Sequence, residues 1–458
     1  MPDIPRLSRR AVTAVAVAGA LLAAGCSAPG SNNTPSGQSA KKPSAISTDP
    51  ASAGKLTLRV WDQEVRGGQN QEITRLNQQF EKKYPNVTIK RTAKSFSDLK
   101  TTLKLALSGN NPPDAVEVNQ GYPDMVSFVK AGMLLPLDSY SSVYGWKDRY
   151  PPTLLNLNRV NADATKFGTG KLYGLSQMGE YVGVYYNKKN LSAAGITPPK
   201  TWSQFESDLA KVKAAGQIPI QFGNLDKFPA IHTFGVIQAQ ATGDQTVRDL
   251  VYGSGGAKWT ADKTVAAAQT LQDWVKKGYF PPGVNGIGYD DSNKAFGQGK
   301  GAFLITGTWA AADLKGPMGS SLGLMVPPAS TGGSPTTTGG ESLAFGITSK
   351  SSHADVAAAY INFLTDAHAQ DVILQAGNLP AVPGPSAVQL AGAPVNQEMV
   401  AGWKSVNQSD GLVPYLDYTT PTFYDTITAA LQNLIGQKST PQQFAEKLQA
   451  DVDAFHNG

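Results

Sequence analysis

A single cysteine, Cys26, stands in 458 residues, and there are only four histidines. With no second thiol, no disulfide can form within the chain, so the fold must rest on core burial. His232, His353, His368 and His456 never form a His-Glu-x-x-His pattern, and no two sit at an obvious helical metal-ligand spacing. Without cysteines to complete a ligand set, the sequence offers no dedicated zinc site and implies no cofactor. Past the amino terminus no apolar run approaches twenty residues, which leaves no spanning helix in the body. Charge of one sign is also scarce. The formal net charge is +5, and setting aside residues 1–25, with three arginines and one aspartate, leaves +3. No basic run is interleaved with aromatics, so nucleic acid is not an expected partner. Gly170-Lys171 and Gly299-Lys300 lack the upstream glycine and the following Ser or Thr of a phosphate loop, and no Gly-x-Ser-x-Gly elbow occurs.

What is present begins at the amino terminus. Arg6, Arg9 and Arg10 precede the apolar run Ala11–Ala24, which is too short to span a bilayer and ends in small residues. Residues 1–25 therefore read as a signal peptide. Leu22-Ala23-Ala24-Gly25-Cys26 resembles the bacterial lipobox, although Ala23 stands where leucine is usual three places before the cysteine. The resemblance implies cleavage before Cys26, diacylglycerol on its sulfur and an acyl chain such as palmitate on its nitrogen. The protein would then be exported and anchored to the outer face of the cytoplasmic membrane. Ser8-Arg9-Arg10 also resembles a fragment of a twin-arginine signal, and two adjacent arginines do not decide the route. Residues 26–54, nearly all small or polar after Cys26, read as the lipidated cysteine and a flexible tether.

From Lys55 the pattern alternates. Lys55–Trp61 reads as a strand, and Ile73, Leu76, Phe80 and Tyr84 recur at helical spacing before Pro85-Asn86 and a strand from Val87. Leu99, Leu103 and Leu107 mark a further helix, ended at Gly109–Pro113 before the strand Ala115–Val118. Val182–Tyr186 is strand-like, and Thr201–Gln204 and Thr440–Gln443 are capping boxes, the second opening a terminal helix. Thr331–Gly340 reads as a loop or hinge approach. Strands alternating with helices imply a largely parallel α/β architecture.

Phe80–Val87, Pro113–Asn119, Gly170–Gly174, Tyr185–Lys188, Thr201-Trp202, Phe296–Phe303 and Thr306–Trp309 occur in that order. Together they resemble the family 1 extracellular solute-binding proteins, receptors of carbohydrate ABC importers, over essentially the whole of Lys55–Gly458. The resemblance implies a two-lobe periplasmic-binding-protein-like α/β fold of type II, with a ligand cleft between lobes joined by crossing hinge strands. Lobe 1 would comprise 55–182 plus 346–380 and lobe 2 183–345 plus 381–458, with crossings near Tyr181–Tyr186, Glu341–Phe345 and Leu379–Pro383. It also implies a monomer that takes a neutral mono- or oligosaccharide, docks on the membrane permease subunits and performs no covalent chemistry.

Sugar recognition needs rings for the apolar pyranose faces and carboxylates or amides for the hydroxyls. By the family pattern Trp309 is a stacking aromatic and Glu180 a hydroxyl binder, with Tyr181 beside it. Trp61, Asp62 and Gln63 end the first strand and Asn119, Gln120 and Tyr122 follow the third, at the carboxyl edge where such sheets bind ligands. Phe228 and His232, then Phe423 and Tyr424 in the aromatic cluster Tyr415–Tyr424, are candidates from the second lobe. Tyr415, Tyr418 and Tyr424 serve equally well as packing. Asp290 and Asp291 are a solvated turn or hydrogen-bonding ligands, and Gly340 with Glu341 supplies a backbone turn at the cleft. Two rivals stay open. A secreted carbohydrate-active enzyme needs the same residue types but shows no acid–base pair. A same-fold receptor for a non-sugar solute such as glycerol phosphate would call for clustered Arg or Lys.

Overall fold

The computed structural model describes residues 41–330 and 333–457. The signal peptide, Cys26 and the tether up to residue 40 lie outside the described residues. Among those described, no helix is long and apolar enough to cross a membrane.

Two larger sheets organise the described residues, beside a small antiparallel pair of Arg159–Val160 with Lys171–Leu172. In the first, strand Leu56–Asp62 lies parallel between Val87–Ala93 and Ala115–Val118, and Ala344–Ile347 closes the edge antiparallel to Ala115–Val118. Leu58 and Val60 are fully buried beneath helix Gly67–Lys83, whose Ile73, Leu76 and Phe80 face the sheet at the expected spacing. Phe80 meets Tyr360, from helix Ala354–Leu364, edge-on at 5.4 Å. Helix Phe96–Ser108 follows Ser95, whose hydroxyl accepts the Asp98 N–H at 3.1 Å, and it buries Leu99, Leu103 and Leu107.

The second sheet is built on Gly179–Asn187, a nine-residue strand that is buried almost throughout. It runs antiparallel to Phe303–Gly307, Leu322–Met325 and Thr337–Glu341, and Leu412–Val413 extends the edge. Trp202, Phe205, Trp274 and Phe303 pack ring against ring beneath it. The second capping box forms in full, and in the first the Gln204 side chain takes the Lys200 N–H instead of that of Thr201. The Thr201 hydroxyl takes the Gln204 N–H, and Thr440 and Gln443 exchange bonds of 3.1 and 2.9 Å to open helix Pro441–Asn457.

Three segments pass between the sheets side by side. Leu175 bridges Phe345, Met178 bridges Pro380, and the Gly179 N–H reaches the Leu379 carbonyl at 3.0 Å. The first passage thus lies at Leu175–Gly179 rather than at Tyr181–Tyr186, because those residues pair deep inside the second sheet. Gly179–Val182 accordingly belong with the second sheet and Ala344–Phe345 with the first, where the sequence divided the chain after 182 and 345.

Two further readings change. The Gly- and Thr-rich stretch is strand from Thr337, not loop, since its glycines let the backbone press against Glu180 and Leu157. Lys41–Gly54 is docked rather than free. Asn86 Nδ2 donates to the carbonyls of Pro50 and Gly54, both at 2.8 Å, and Asp355 holds Lys41 at 2.9 Å and the Ser47 N–H at 3.0 Å.

Candidate functional site

The carboxyl ends of the first sheet's parallel strands face the second sheet, and side chains from both enclose a cavity of about 70 Å³. Larger hollows exist. One of about 420 Å³ lies among Leu157, Phe167, Tyr252 and Leu412. The smaller cavity is distinguished by the convergence of aromatic rings with carboxyl, amide and imidazole groups, the composition of a ligand site.

Trp309 occupies the short helical turn after strand Phe303–Gly307 and is half-buried. Its indole N–H donates to the Tyr289 hydroxyl at 2.6 Å, which fixes the plane of the ring. His232, one turn into helix Phe228–Thr242, lies edge-on to Trp309 at 5.2 Å and tilted to Tyr415 at 5.4 Å. Burial pushes its pKa down to about 3, so the ring is neutral, and its buried Nδ1 has no hydrogen-bond partner among the described residues. Phe228 stands 5.0 Å from Tyr289 and 5.7 Å from Phe96, which reaches across from the first lobe. Phe96 also meets Tyr424, at 6.3 Å.

Glu180 enters near the start of its strand and accepts the Tyr415 hydroxyl at 2.9 Å. Burial pushes its pKa up to about 8 against that hydrogen bond, and burial likewise lifts Asp417 to about 6. Gln63 is held by its N–H, which donates to Glu117 at 2.7 Å, and Asn119 Nδ2 donates to Asp124 at 3.1 Å.

Of the candidates named from the sequence, Gln63, Asn119, Glu180, Phe228, His232, Trp309 and Tyr424 line this cavity. Ten other candidates do not line the cavity. Strand alternation turns Asp62 and Tyr181 away from the faces that present Gln63 and Glu180. Asp62 is paired by Arg91 through both oxygens at 2.7 Å, and the buried Tyr181 donates to the Met399 carbonyl. Trp61 packs on the core with the Lys94 ammonium 5.0 Å from its ring. Tyr122 packs on Phe455, and Phe423 is buried against Trp259. Gln120 sits behind the wall, taking the Tyr418 hydroxyl at 3.1 Å and donating to the Ser342 carbonyl at 2.9 Å. Gly340 is strand backbone rather than a turn, and Glu341 is buried and held by Asn158. Asp290 and Asp291 are exposed outside the cavity, the first paired to Arg66.

Arg66, Gln69, Phe96, Ile231, Leu343 and Asp417 line the cavity without having been singled out, together with Tyr415 and Tyr418 from the cluster left open. Arg66 and Phe96 follow the first and second strands, so the carboxyl-edge rule that gave Gln63 and Asn119 would also have found them. Ile231 and Leu343 carry no such signal, since apolar residues lining a cleft read as core.

The model for bacterial extracellular solute-binding proteins matches residues 67–371, more than half of the chain. The chain belongs to that family. This solute-binding protein is 22% identical over 319 residues to the multiple sugar-binding protein of Streptococcus mutans, covering 69% of this chain and 72% of that one. It spans only about three fifths of several other curated relatives, 59% and 61% of their lengths. Among solved structures, a chitin oligosaccharide binding protein superposes with a TM-score of 0.77 at 25% identity, over 88% of this chain and 100% of that chain. UgpB from Mycobacterium tuberculosis, in complex with glycerophosphocholine, superposes at 0.70 with 19% identity, over 88% and 99%. These likenesses show the two-lobe α/β receptor fold. Solutes of different chemistry occupy it, so the site must argue for the solute.

Proposed function

We propose that this solute-binding protein is a lipid-anchored receptor that captures a neutral sugar, an oligosaccharide rather than a single ring, and delivers it to the permease of an ABC importer. The observation that carries the reading is the ring set Phe96, Phe228, Trp309 and Tyr424, drawn from both lobes around Glu180, Gln63 and Asn119. Rings offer flat apolar floors to pyranose faces, and the carboxyl and amide groups take hydroxyl hydrogens. A sugar-binding relative and a chitin oligosaccharide binding neighbour support the same class. Because the cavity is walled by side chains from both lobes, a sugar held there would be gripped between them, and its entry and release would call for the lobes to part.

A phosphate-bearing solute fits less well, because the cavity's arginine, Arg66, is already paired to Asp290 at 3.2 Å. An enzyme would need an acid–base pair across a substrate, and the raised pKa values of the cavity's carboxyls, Glu180 and Asp417, follow mainly from burial. A thermal-shift screen of neutral oligosaccharides tests the class, since a ligand at a hundred times its dissociation constant adds about 2.7 kcal/mol. Calorimetry with chromatography of the recovered sugar should then show one intact ligand per chain. Cleaved sugar, or no shift with any sugar and a shift with a phosphodiester, would overturn the reading.

A further inference from the structure

Arg66 ends the loop after the first strand and sits at the head of helix Gly67–Lys83, in the first lobe. Its side chain is only 17% exposed, yet its partners lie across the cleft. Among the described residues its guanidinium makes one hydrogen bond, through Nε to Asp290 at 3.2 Å, and its Cζ stands 5.1 Å from the centre of the Tyr289 ring. Asp290 and Tyr289 begin helix Tyr289–Gly297 of the second lobe. With no hydrogen-bonding carboxylate on its own lobe among the described residues, the guanidinium keeps its contacts to Asp290 and Tyr289 only while the lobes are closed.

The surroundings are shaped for that contact. A Cβ on Gly67 would fall 2.6 Å from Asp313 Oδ1, and one on Gly68 would fall 2.5 Å from Ala312 Cβ, so the two glycines let the head of the first-lobe helix abut helix Ala311–Met318. Lys315 Nζ reaches back to the Ala376 carbonyl at 3.3 Å, a second link between the lobes. The contact also reaches the rings of the cavity. Beneath Arg66, Tyr289 shares a hydrogen bond with Thr306 at 2.8 Å, accepts the Trp309 indole N–H and packs against Phe228.

We propose that Arg66 is a clasp between the lobes and a positioning residue for the ring platform, acting on Trp309 and Phe228 through Tyr289. Closure seats the guanidinium on Tyr289 and Asp290, and the seated Tyr289 sets the plane against which a solute stacks. A solute that stacks on Trp309 and the clasp that holds Tyr289 therefore favour the same closed state, and each strengthens the other. The platform part rests on the sugar-receptor reading, whereas the clasp does not.

The test uses the full chain in a Cys26→Ser background, which leaves no other thiol. Spin labels go on Leu105→Cys in the first lobe and Leu225→Cys in the second, both on exposed side chains. Distances are read without any solute. The closed-to-open ratio should fall about fivefold in Arg66→Ala and in Asp290→Ala, with no further fall in the double variant, and Arg66→Lys should recover part of it. Asp290 is 76% exposed, so its variant tests the clasp without disturbing the core. Solute-free distances in Asp290→Ala and Arg66→Ala that match the parent overturn the clasp. For the platform, Tyr289→Phe should leave the distances unchanged and weaken the solute identified by the screen severalfold. An unchanged affinity in that variant overturns the positioning role. Failure of every sugar to bind counts against the sugar reading and leaves the distance result standing.

Discussion

Replacing Trp309 by alanine separates a ligand platform from a core residue. One side of the indole lies on strand backbone, where a Cβ on Gly307 would come within 1.9 Å of the ring, and the remainder faces the cavity. A tryptophan buries about 150–250 Å² in full, so a stacked pyranose would cover roughly 100 Å² of it, worth about 2.5 kcal/mol at about 25 cal/mol per Å². Trp309→Ala should therefore weaken binding roughly seventyfold. The fold without solute loses the packing on Gly307, the edge contact with His232 and the 2.6 Å bond to Tyr289, together about 1–2 kcal/mol. A core tryptophan would behave in reverse, costing about 3–5 kcal/mol of stability and affecting binding only through unfolding. Denaturant melts of the solute-free variant beside calorimetric titration measure both quantities. A stability loss in the core range with affinity unchanged would refute the platform.

Glu180 has its folded pKa raised to about 8, so it binds its proton more tightly in the native state and destabilises the fold as pH climbs from the ordinary carboxylate range through about 8. Glu180→Gln should flatten that part of a melting-temperature profile, and a profile with the same slope would show that the carboxyl is not protonated there. His232, lowered to about 3, has the opposite sign, because stability is lost as pH falls from about 6.5 towards 3 while the unfolded imidazole takes a proton that the native one refuses. His232→Gln should remove that acid-side loss, again read from melts across pH. Gly340→Ala should cost about 2–3 kcal/mol, since φ is +154° and the new Cβ would lie 2.3 Å from Leu157 Cδ1; a denaturant midpoint equal to the parent's would mean that strand can relax. Cys26→Ser should release the protein from washed membranes, because stable attachment needs at least two acyl chains. Retention of the Ser variant would remove the lipid anchor from the proposal.

The legibility of this fold in the sequence follows periodicity closely. Ile73, Leu76 and Phe80, Leu99, Leu103 and Leu107, and the two capping boxes are local signals, and each produced the helix it announced. Where two strands press together, local signals mislead. Thr337–Gly340 has loop composition, but the glycines are there because Glu180 and Leu157 leave no room for side chains, a fact visible only once Gly179–Asn187 lies alongside. Lys41–Gly54 has tether composition, and its docking depends on Asn86 and Asp355, 32 or more residues away.

The site shows the same limit at finer grain. A carboxyl-edge argument locates loops, and Gln63 and Asn119 come from it, but it does not say which of two neighbouring residues turns inward. Asp62 and Tyr181 differ from Gln63 and Glu180 by one position and face the opposite way, where Arg91 and the Met399 carbonyl take up their polar atoms. Phe423 and Tyr424 divide similarly at the head of one helix, the first buried against Trp259 and the second open to the cavity. Arg66 carries the point furthest. In sequence it is one more charged residue after a strand, and its part in the site exists only because Asp290, 224 residues later, comes to face it. Groups that meet across a cleft obey no local period, so a strand-end rule can point to Arg66 and a sequence motif to Asp290 without showing that the two are partners.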